Sequence, residues 1–266
     1  MNFKTMLLTT AAVTMIAGAA NAKDFTGSLF LPAKGEILSN TQITHHRLKD
    51  KYLGVDKELS ASETLTYGIT DNLSISGAIV NEFEGGKLSN QSQYNNDHNF
   101  AYGLGVAYNH NFGKVLTQVG LGYATSQPRT WYGHKGNSSE WAKAIAGEVQ
   151  VGYDMGNGWT PYATFTATSL VDTKNRIMNY SAFAGVHKTF DKFALDTGLR
   201  YDFNTDGGEY GWGEDTHQYF WQLEANYFLT DNVALGIHGD YYLGGDDEWV
   251  KTKYEWTIGA QLKVLF

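Results

Sequence analysis

The last segment of the chain alternates apolar and polar residues with a period of two. Counting back from the terminal Phe266, the apolar positions are Val264, Leu262, Ala260, Ile258, Trp256 and Tyr254. The positions between them are Lys263, Gln261, Gly259, Thr257, Glu255 and Lys253. A period of two puts the two sets on opposite faces of a β-strand, whereas an amphipathic helix has a period near 3.6. The pattern predicts a terminal strand with one apolar face.

Segments of the same kind recur along the chain, separated by turn signals. Short turns rich in Asn, Asp and Gly are predicted at 70–72, 112–114, 155–158, 191–192 and 230–232. These residues accept the positive φ angles that tight hairpin turns require. Longer polar connections lie near 48–57, 85–97, 126–139, 171–176, 204–215 and 244–250. Short and long connections therefore alternate, as they do in outer-membrane barrels.

Division at these points predicts about twelve strands, most of about 10 to 15 residues, which is long enough to cross a bilayer at a tilt. The expected ranges are 36–47, 58–69, 73–84, 98–111, 115–125, 140–154, 159–170, 177–190, 193–203, 216–229, 233–243 and 251–266. The predicted fold class is all-β, a transmembrane antiparallel up-and-down β-barrel of about twelve strands that occupies residues 36–266. An even number of strands places both termini on the periplasmic side.

The polar faces of these strands carry acids, amides and an arginine, which fit a water-filled lumen and not the core of a β-sandwich. The candidate lumen-lining residues are Glu148, His187, Asp196, Arg200, Asp202, Glu224, His238 and Asp240. The opposite faces, expected to contact lipid, include Leu104, Leu121, Leu199 and Ile237. A two-residue turn at 191–192 predicts that His187 pairs with Asp196, and the turn at 230–232 brings Glu224 close to His238.

The first 22 residues have the three parts of a secretory signal peptide. Lys4 gives a short positive region, an uncharged apolar run follows, and Ala20-Asn21-Ala22 fits the small-x-small cleavage rule. Residues 23–35 are then expected to be a periplasmic N-terminal segment or a plug of the lumen. A terminal aromatic on an alternating strand in an exported chain resembles the assembly signal of bacterial outer-membrane β-barrels. That resemblance implies that Phe266 is recognised by the barrel-assembly machinery of a Gram-negative cell.

Composition agrees with an outer-membrane barrel and limits the partners. The chain has 30 Gly, 3 Pro and 14% aromatic residues, which suit many strands with tight turns and interfacial aromatic girdles. It has no Cys, and its net charge of -8 argues against nucleic-acid binding. The expected partners are outer-membrane lipids, lipopolysaccharide and small solutes, with no cofactor and no metal.

Two short motifs lie near the start of the predicted barrel. Leu31-Pro32-Ala33-Lys34-Gly35-Glu36 leads into the first strand, and Tyr67-Gly68-Ile69-Thr70-Asp71-Asn72-Leu73 forms the first short turn. Together they resemble a loose family of outer-membrane proteins assigned to transport in the MetA pathway of phenol degradation. The likeness covers about the first quarter of the mature chain and implies a barrel that transports solutes.

Three functions are compatible with the pattern. The favoured one is a passive channel for small polar or amphipathic solutes, in which Arg200 opposed to Glu148 and Glu224 sets ion preference. The alternative is a non-conducting barrel with a structural or surface-binding role, its lumen closed by side chains and by residues 23–34.

An enzyme is third. No His is followed two positions later by Ser, as in outer-membrane phospholipases, and the His238-Gly239-Asp240 spacing falls away from the outer rim where barrel proteases act. His45 and His46 point to opposite strand faces, which makes them a poor metal pair. The acidic outer connections near 206–215 and 246–248 could hold Ca²⁺ but lack EF-hand spacing, so solvated acids are the favoured interpretation.

Overall fold

The chain folds into a β-barrel with an N-terminal segment inside it. The computed structural model describes residues 24–50, 57–87, 94–95, 98–126, 142–171, 178–205, 216–246 and 252–266. The strands are β1 (Ile37–Asp50), β2 (Lys57–Thr70), β3 (Leu73–Lys87), β4 (Tyr94–Asn95), β5 (His98–Phe112), β6 (Val115–Ser126), β7 (Ala142–Tyr153), β8 (Trp159–Leu170), β9 (Met178–Thr189), β10 (Phe193–Thr205), β11 (Thr216–Thr230), β12 (Val233–Asp246) and β13 (Thr252–Leu265). No helix in the described part of the chain is long and apolar enough to span a bilayer.

Twelve long antiparallel strands close into a barrel, and the two-residue β4 only extends the outer end of β3. Each long strand pairs with its neighbours along the chain, and β1 pairs with β13 from Leu38↔Leu265 to Asp50↔Thr252. The fold class is the predicted one, because hairpin turns of the expected lengths bring consecutive strands side by side. Closure leaves no free sheet edge among the long strands.

The period of two decides which side chains face lipid and which face the lumen. In β6, Val119, Leu121 and Tyr123 are exposed on the outer surface, whereas Gln118 and Gly120 are buried. Leu104, Leu199 and Ile237 are likewise exposed on the outside. An outward apolar band and a polar interior are what a barrel in a bilayer requires.

Glu63 is an exception to this outward apolar face. It lies on β2 between the exposed Leu59 and Leu65, and its carboxylate accepts hydrogen bonds from Ser39 Oγ at 2.7 Å and from the Thr41 hydroxyl. Both hydroxyls belong to the paired strand β1. The two donors satisfy part of the hydrogen-bonding capacity of a carboxylate that has no aqueous lumen beside it.

The periplasmic turns use the backbone freedom that the sequence indicates. Gly113 between β5 and β6 has a φ of 65°, and the β7–β8 turn contains Gly156, Asn157 and Gly158 with φ of 76°, 54° and 75°. Gly and Asn tolerate these left-handed angles best.

Residues 24–32 lie inside the barrel at the end where the short turns lie. Phe25, Phe30 and Leu31 are buried in a small apolar cluster with Leu38 and Ala234 of the barrel wall. The segment then leaves the lumen over Gly68, whose missing side chain leaves room for the carbonyl groups of residues 32 and 33. This cluster places the apolar run of the N-terminal segment away from water.

Candidate solute pathway in the barrel lumen

A cavity of about 470 Å³ occupies the lumen beyond the N-terminal segment. One wall, on β1 and β2, consists of neutral polar groups: Asn40, Gln42, Thr44, His46, Ser60, Ser62, Thr64 and Thr66. The charged wall lies mainly on β7 and on β10 to β13. A smaller cavity of about 240 Å³ lies on the other side of the segment, and Gly27, Ser28 and Tyr162 line both cavities.

The structure places all eight candidate lumen residues on cavity walls. His187 lines the smaller cavity. The larger cavity is lined by Glu148, Asp196, Arg200, Asp202, Glu224, His238 and Asp240. The register predicted from the two turns is also the observed one, with His187 paired to Asp196 and Glu224 to His238.

Arg200 holds two carboxylates, but not the two expected from the sequence. Its Nε donates to Asp202 Oδ2 and its Nη1 to Asp240 Oδ2, both at 3.1 Å, and its guanidinium lies 4.4 Å from the Phe220 ring centroid. The expectation that Arg200 opposes Glu148 and Glu224 is therefore wrong about the partners. Asp202 lies two residues from Arg200 on the same face of β10, whereas Glu148 is on β7, three strands away in the sheet.

Glu224 is instead paired with Lys263, which is not among the lumen residues expected from the sequence. Lys263 Nζ lies 2.7 Å from Glu224 Oε1 and donates to the backbone oxygen of Thr26 at 3.1 Å. Asn226 Nδ2 also donates to Glu224 Oε1, at 2.7 Å. Lys263 thus joins the charged wall to the N-terminal segment. The alternation of β13 could have identified Lys263, because it puts the side chain opposite the lipid-facing Leu262.

Asp24 attaches the start of the segment to the wall. Its Oδ2 lies 2.5 Å from His187 Nε2 and also accepts a hydrogen bond from the Thr189 hydroxyl, while His187 Nδ1 lies 3.2 Å from Asp196 Oδ2. His187 therefore has a carboxylate at each ring nitrogen. Its imidazole can donate a hydrogen bond to both carboxylates only when both nitrogens carry a proton. Tyr162 OH donates to Asp196 Oδ1 at 2.7 Å and completes the chain of contacts.

The ionisation of Asp24 follows from these contacts. Burial on its own would raise the pKa of Asp24, but the hydrogen bonds and charge of His187, with the Thr189 and Thr26 hydroxyls, hold that pKa well below its ordinary value. Because the folded-state pKa is depressed, the contact stabilises the folded protein fully above the ordinary pKa of Asp. That contribution is lost only as the pH falls through the depressed value.

The remaining candidates have separate partners. His238 Nε2 lies 2.9 Å from Thr44 Oγ1, while Asp240 binds Arg200 and accepts from Gln222 Nε2 at 2.8 Å. His238 and Asp240 therefore do not form a hydrogen-bonded pair, although they share a strand face. Among the described residues, no group of three acidic, His or Cys side chains is arranged to hold a metal ion.

Residues 34–242 match the family described as TonB dependent receptor-like, beta-barrel. The chain belongs to this family. Since the match spans the wall of the barrel and the fold is the outer-membrane one, the protein is located in the outer membrane. No curated protein matches the chain in sequence.

Three solved structures give the same fold at low sequence identity. An outer membrane channel from Pseudomonas putida F1 is similar with a TM-score of 0.62 at 15% identity, over 89% of this chain and 97% of that chain. The β domain of the Bordetella autotransporter BrkA has a TM-score of 0.51 at 12% identity, over 88% of this chain and 100% of that chain. The NanC porin has a TM-score of 0.50 at 9% identity, over 85% and 98%.

Several expectations are not addressed by these findings. The signal peptide at 1–22 and the acidic connection near 206–215 lie outside the described residues. The resemblance to the MetA-pathway family, the contacts with lipopolysaccharide and the role of Phe266 in assembly stay predictions.

Proposed function

We propose that the protein is a passive outer-membrane channel for small polar or amphipathic solutes, with a preference for cations. The observation that carries the proposal is the composition of the larger cavity. Among the described residues, six carboxylates line it, against the two permanent cations Arg200 and Lys263. Fixed charge of one sign on the wall of a narrow pore attracts ions of the other sign.

The family match supports a transport role, and so do the structural neighbours that are an outer membrane channel and a porin. What this chain shares with them is the fold. The neutral wall on β1 and β2 supports passage of uncharged polar solutes, because hydroxyls and amides can exchange hydrogen bonds with a hydrated solute at little net cost. The N-terminal segment narrows the periplasmic side of this pathway.

The second candidate is a barrel that does not conduct. Two observations favour it: the apolar cluster around Phe25 and Phe30, and the attachment of the segment through Asp24 and Lys263. If these contacts persist in the membrane, the cavity is open only toward the outer surface.

The test is the reversal potential of the purified protein in planar bilayers under a KCl gradient. We expect K⁺ to be more permeant than Cl⁻, and Arg200→Ala to shift the reversal potential further toward cations. The matched control is Lys188→Ala, which removes a cation on the outer face, where Lys188 lies 5.1 Å from the Trp159 ring centroid. An anion preference, or equal shifts in the two variants, would contradict selection by the charges of the lumen.

A further inference from the structure

Glu148 is a buried carboxylate that makes no ion pair with any residue the structure describes. It is 4% exposed and lines the larger cavity. Gln150 Nε2 donates to its Oε1 at 2.5 Å and Thr166 Oγ1 to its Oε2 at 3.1 Å. Both donors are neutral, and in the part of the chain that the structure describes no ion pair reaches Glu148. A buried carboxylate is costly unless a cation or further donors compensate it.

The cations of the lumen wall are engaged elsewhere. Arg200 is held by Asp202 and Asp240, and Lys263 by Glu224. His187 lies between Asp24 and Asp196. None of the three is therefore available to neutralise Glu148 without losing contacts that it already makes.

Gln150 adds a second acceptor beside Glu148. Its nitrogen must face the Glu148 carboxylate, which fixes the orientation of the amide and directs Oε1 elsewhere. That oxygen is buried and has no hydrogen-bond partner, although Gln150 is only 2% exposed and lines the same cavity. A buried carbonyl oxygen of this kind calls for a donor.

The surroundings leave room for a ligand with an apolar part. Glu148 pairs on one side with Gly120, which has no side chain. On the side away from Gly120, Gln150 pairs with Thr164 on β8, and Thr164 pairs in turn with Phe183 on β9. The three residues form a row across neighbouring strands. Thr164 and Phe183 both line the cavity, so a hydroxyl and an aromatic ring follow the two acceptors.

We propose that Glu148 and Gln150 form a binding site for a primary ammonium group in the lumen. An ammonium group carries three donors and no acceptor, which matches a carboxylate and a free carbonyl oxygen. Its alkyl substituent would extend along the row toward Phe183, where a cation or an alkyl group finds favourable aromatic contact. The proposed role of this site rests on the proposed channel function, since the site would favour the passage of solutes that bear an amine.

The test is a titration of the full-length protein, folded in detergent, with ¹³C-labelled methylammonium chloride, followed by broadening of the methyl NMR signal. We expect Glu148→Gln to weaken binding about tenfold or more, because it removes charge-assisted hydrogen bonds. Gln150→Leu should also weaken binding while leaving the charge of Glu148 in place. Heat-modifiable gel migration establishes that each variant is folded.

The matched control is Glu82→Gln, because Glu82 is another buried carboxylate on the wall of the same cavity. If Glu82→Gln weakens binding as much as Glu148→Gln, the effect is the general field of the lumen and the site is wrong. Displacement of methylammonium by an equal concentration of K⁺ would overturn the ammonium assignment.

Conductance of the same preparations separates this site from the channel proposal. A conducting barrel whose methylammonium affinity is unchanged by Glu148→Gln contradicts the site alone. A barrel that conducts no ions but binds methylammonium through Glu148 supports the site and contradicts the channel.

Discussion

Adjacent residues in the wall of this barrel have opposite surroundings, and β10 shows this most clearly. Leu199 is 59% exposed on the outer surface at the middle of the strand, whereas Arg200 binds Asp202 and Asp240 in the lumen. A basic side chain is therefore tolerated where it faces the lumen. Where it faces lipid, it lowers the stability of the fold by an amount that depends on its depth in the bilayer.

We predict that Leu199→Arg lowers the free energy of unfolding by about 2–4 kcal/mol, the penalty for a basic residue near the bilayer midplane. Leu229→Arg is the matched control. Leu229 is 55% exposed on the same outer surface but adjoins the periplasmic turn after β11, so about 0–1 kcal/mol is expected there. Urea titration in liposomes measures both values, and the opposite order would mean that the assigned depth of β10 is wrong.

Which side chains face the lumen and which face lipid could be predicted from the sequence. The ion-pair partners of the charged side chains could not. Alternation is a local property, and it is enough to put Arg200 and Glu224 in the lumen. The choice of Asp202 and Asp240 for Arg200, and of Lys263 for Glu224, depends on side-chain reach across the closed wall. Asp24 was missed because its partner His187 is 163 positions away along the chain, so no local pattern indicates the contact.

The strands begin and end where the predicted turns place them, and the long strands lie within a few residues of the ranges expected from the sequence.

The position of the N-terminal segment was harder to predict. Its apolar residues Phe25, Leu29 and Phe30 have no strand or helix period, so the sequence alone left a periplasmic tail and a lumen plug open. Tertiary packing inside the closed barrel, which exists only after β1 meets β13, determines where the segment lies.

The closing pair of strands leads to a prediction about Phe266. Its backbone N–H donates to the Ile37 oxygen at 2.8 Å, and its own oxygen accepts from the Ile37 N–H at 3.1 Å, while the residue as a whole is 70% exposed. We expect Phe266→Asp to reduce the amount of heat-modifiable protein in outer-membrane fractions severely. Phe112→Asp, which removes another exposed aromatic ring, should have a small effect. Equal losses in the two variants would show that the terminal ring is an ordinary member of the girdle.

The barrel as a whole combines a polar cavity with a segment that narrows one end of it. The wall supplies excess negative charge, and residues 24–32 are held by Asp24 at one point and by Lys263 at another. In the proposed channel, transport and closure depend on the same contacts, since loosening the segment would join the two cavities that its residues Gly27 and Ser28 both line.

Single-channel conductance in planar bilayers shows whether the lumen is a pathway and whether residues 24–32 constrict it. The comparison is between the full mature chain and a variant that lacks residues 24–32 but keeps the signal peptide, with folding verified by heat-modifiable migration. If the lumen is the pathway and the segment is its constriction, the conductance should rise severalfold in the variant. An unchanged conductance would show that the segment is not the constriction, and the absence of conductance in both proteins would contradict the channel itself.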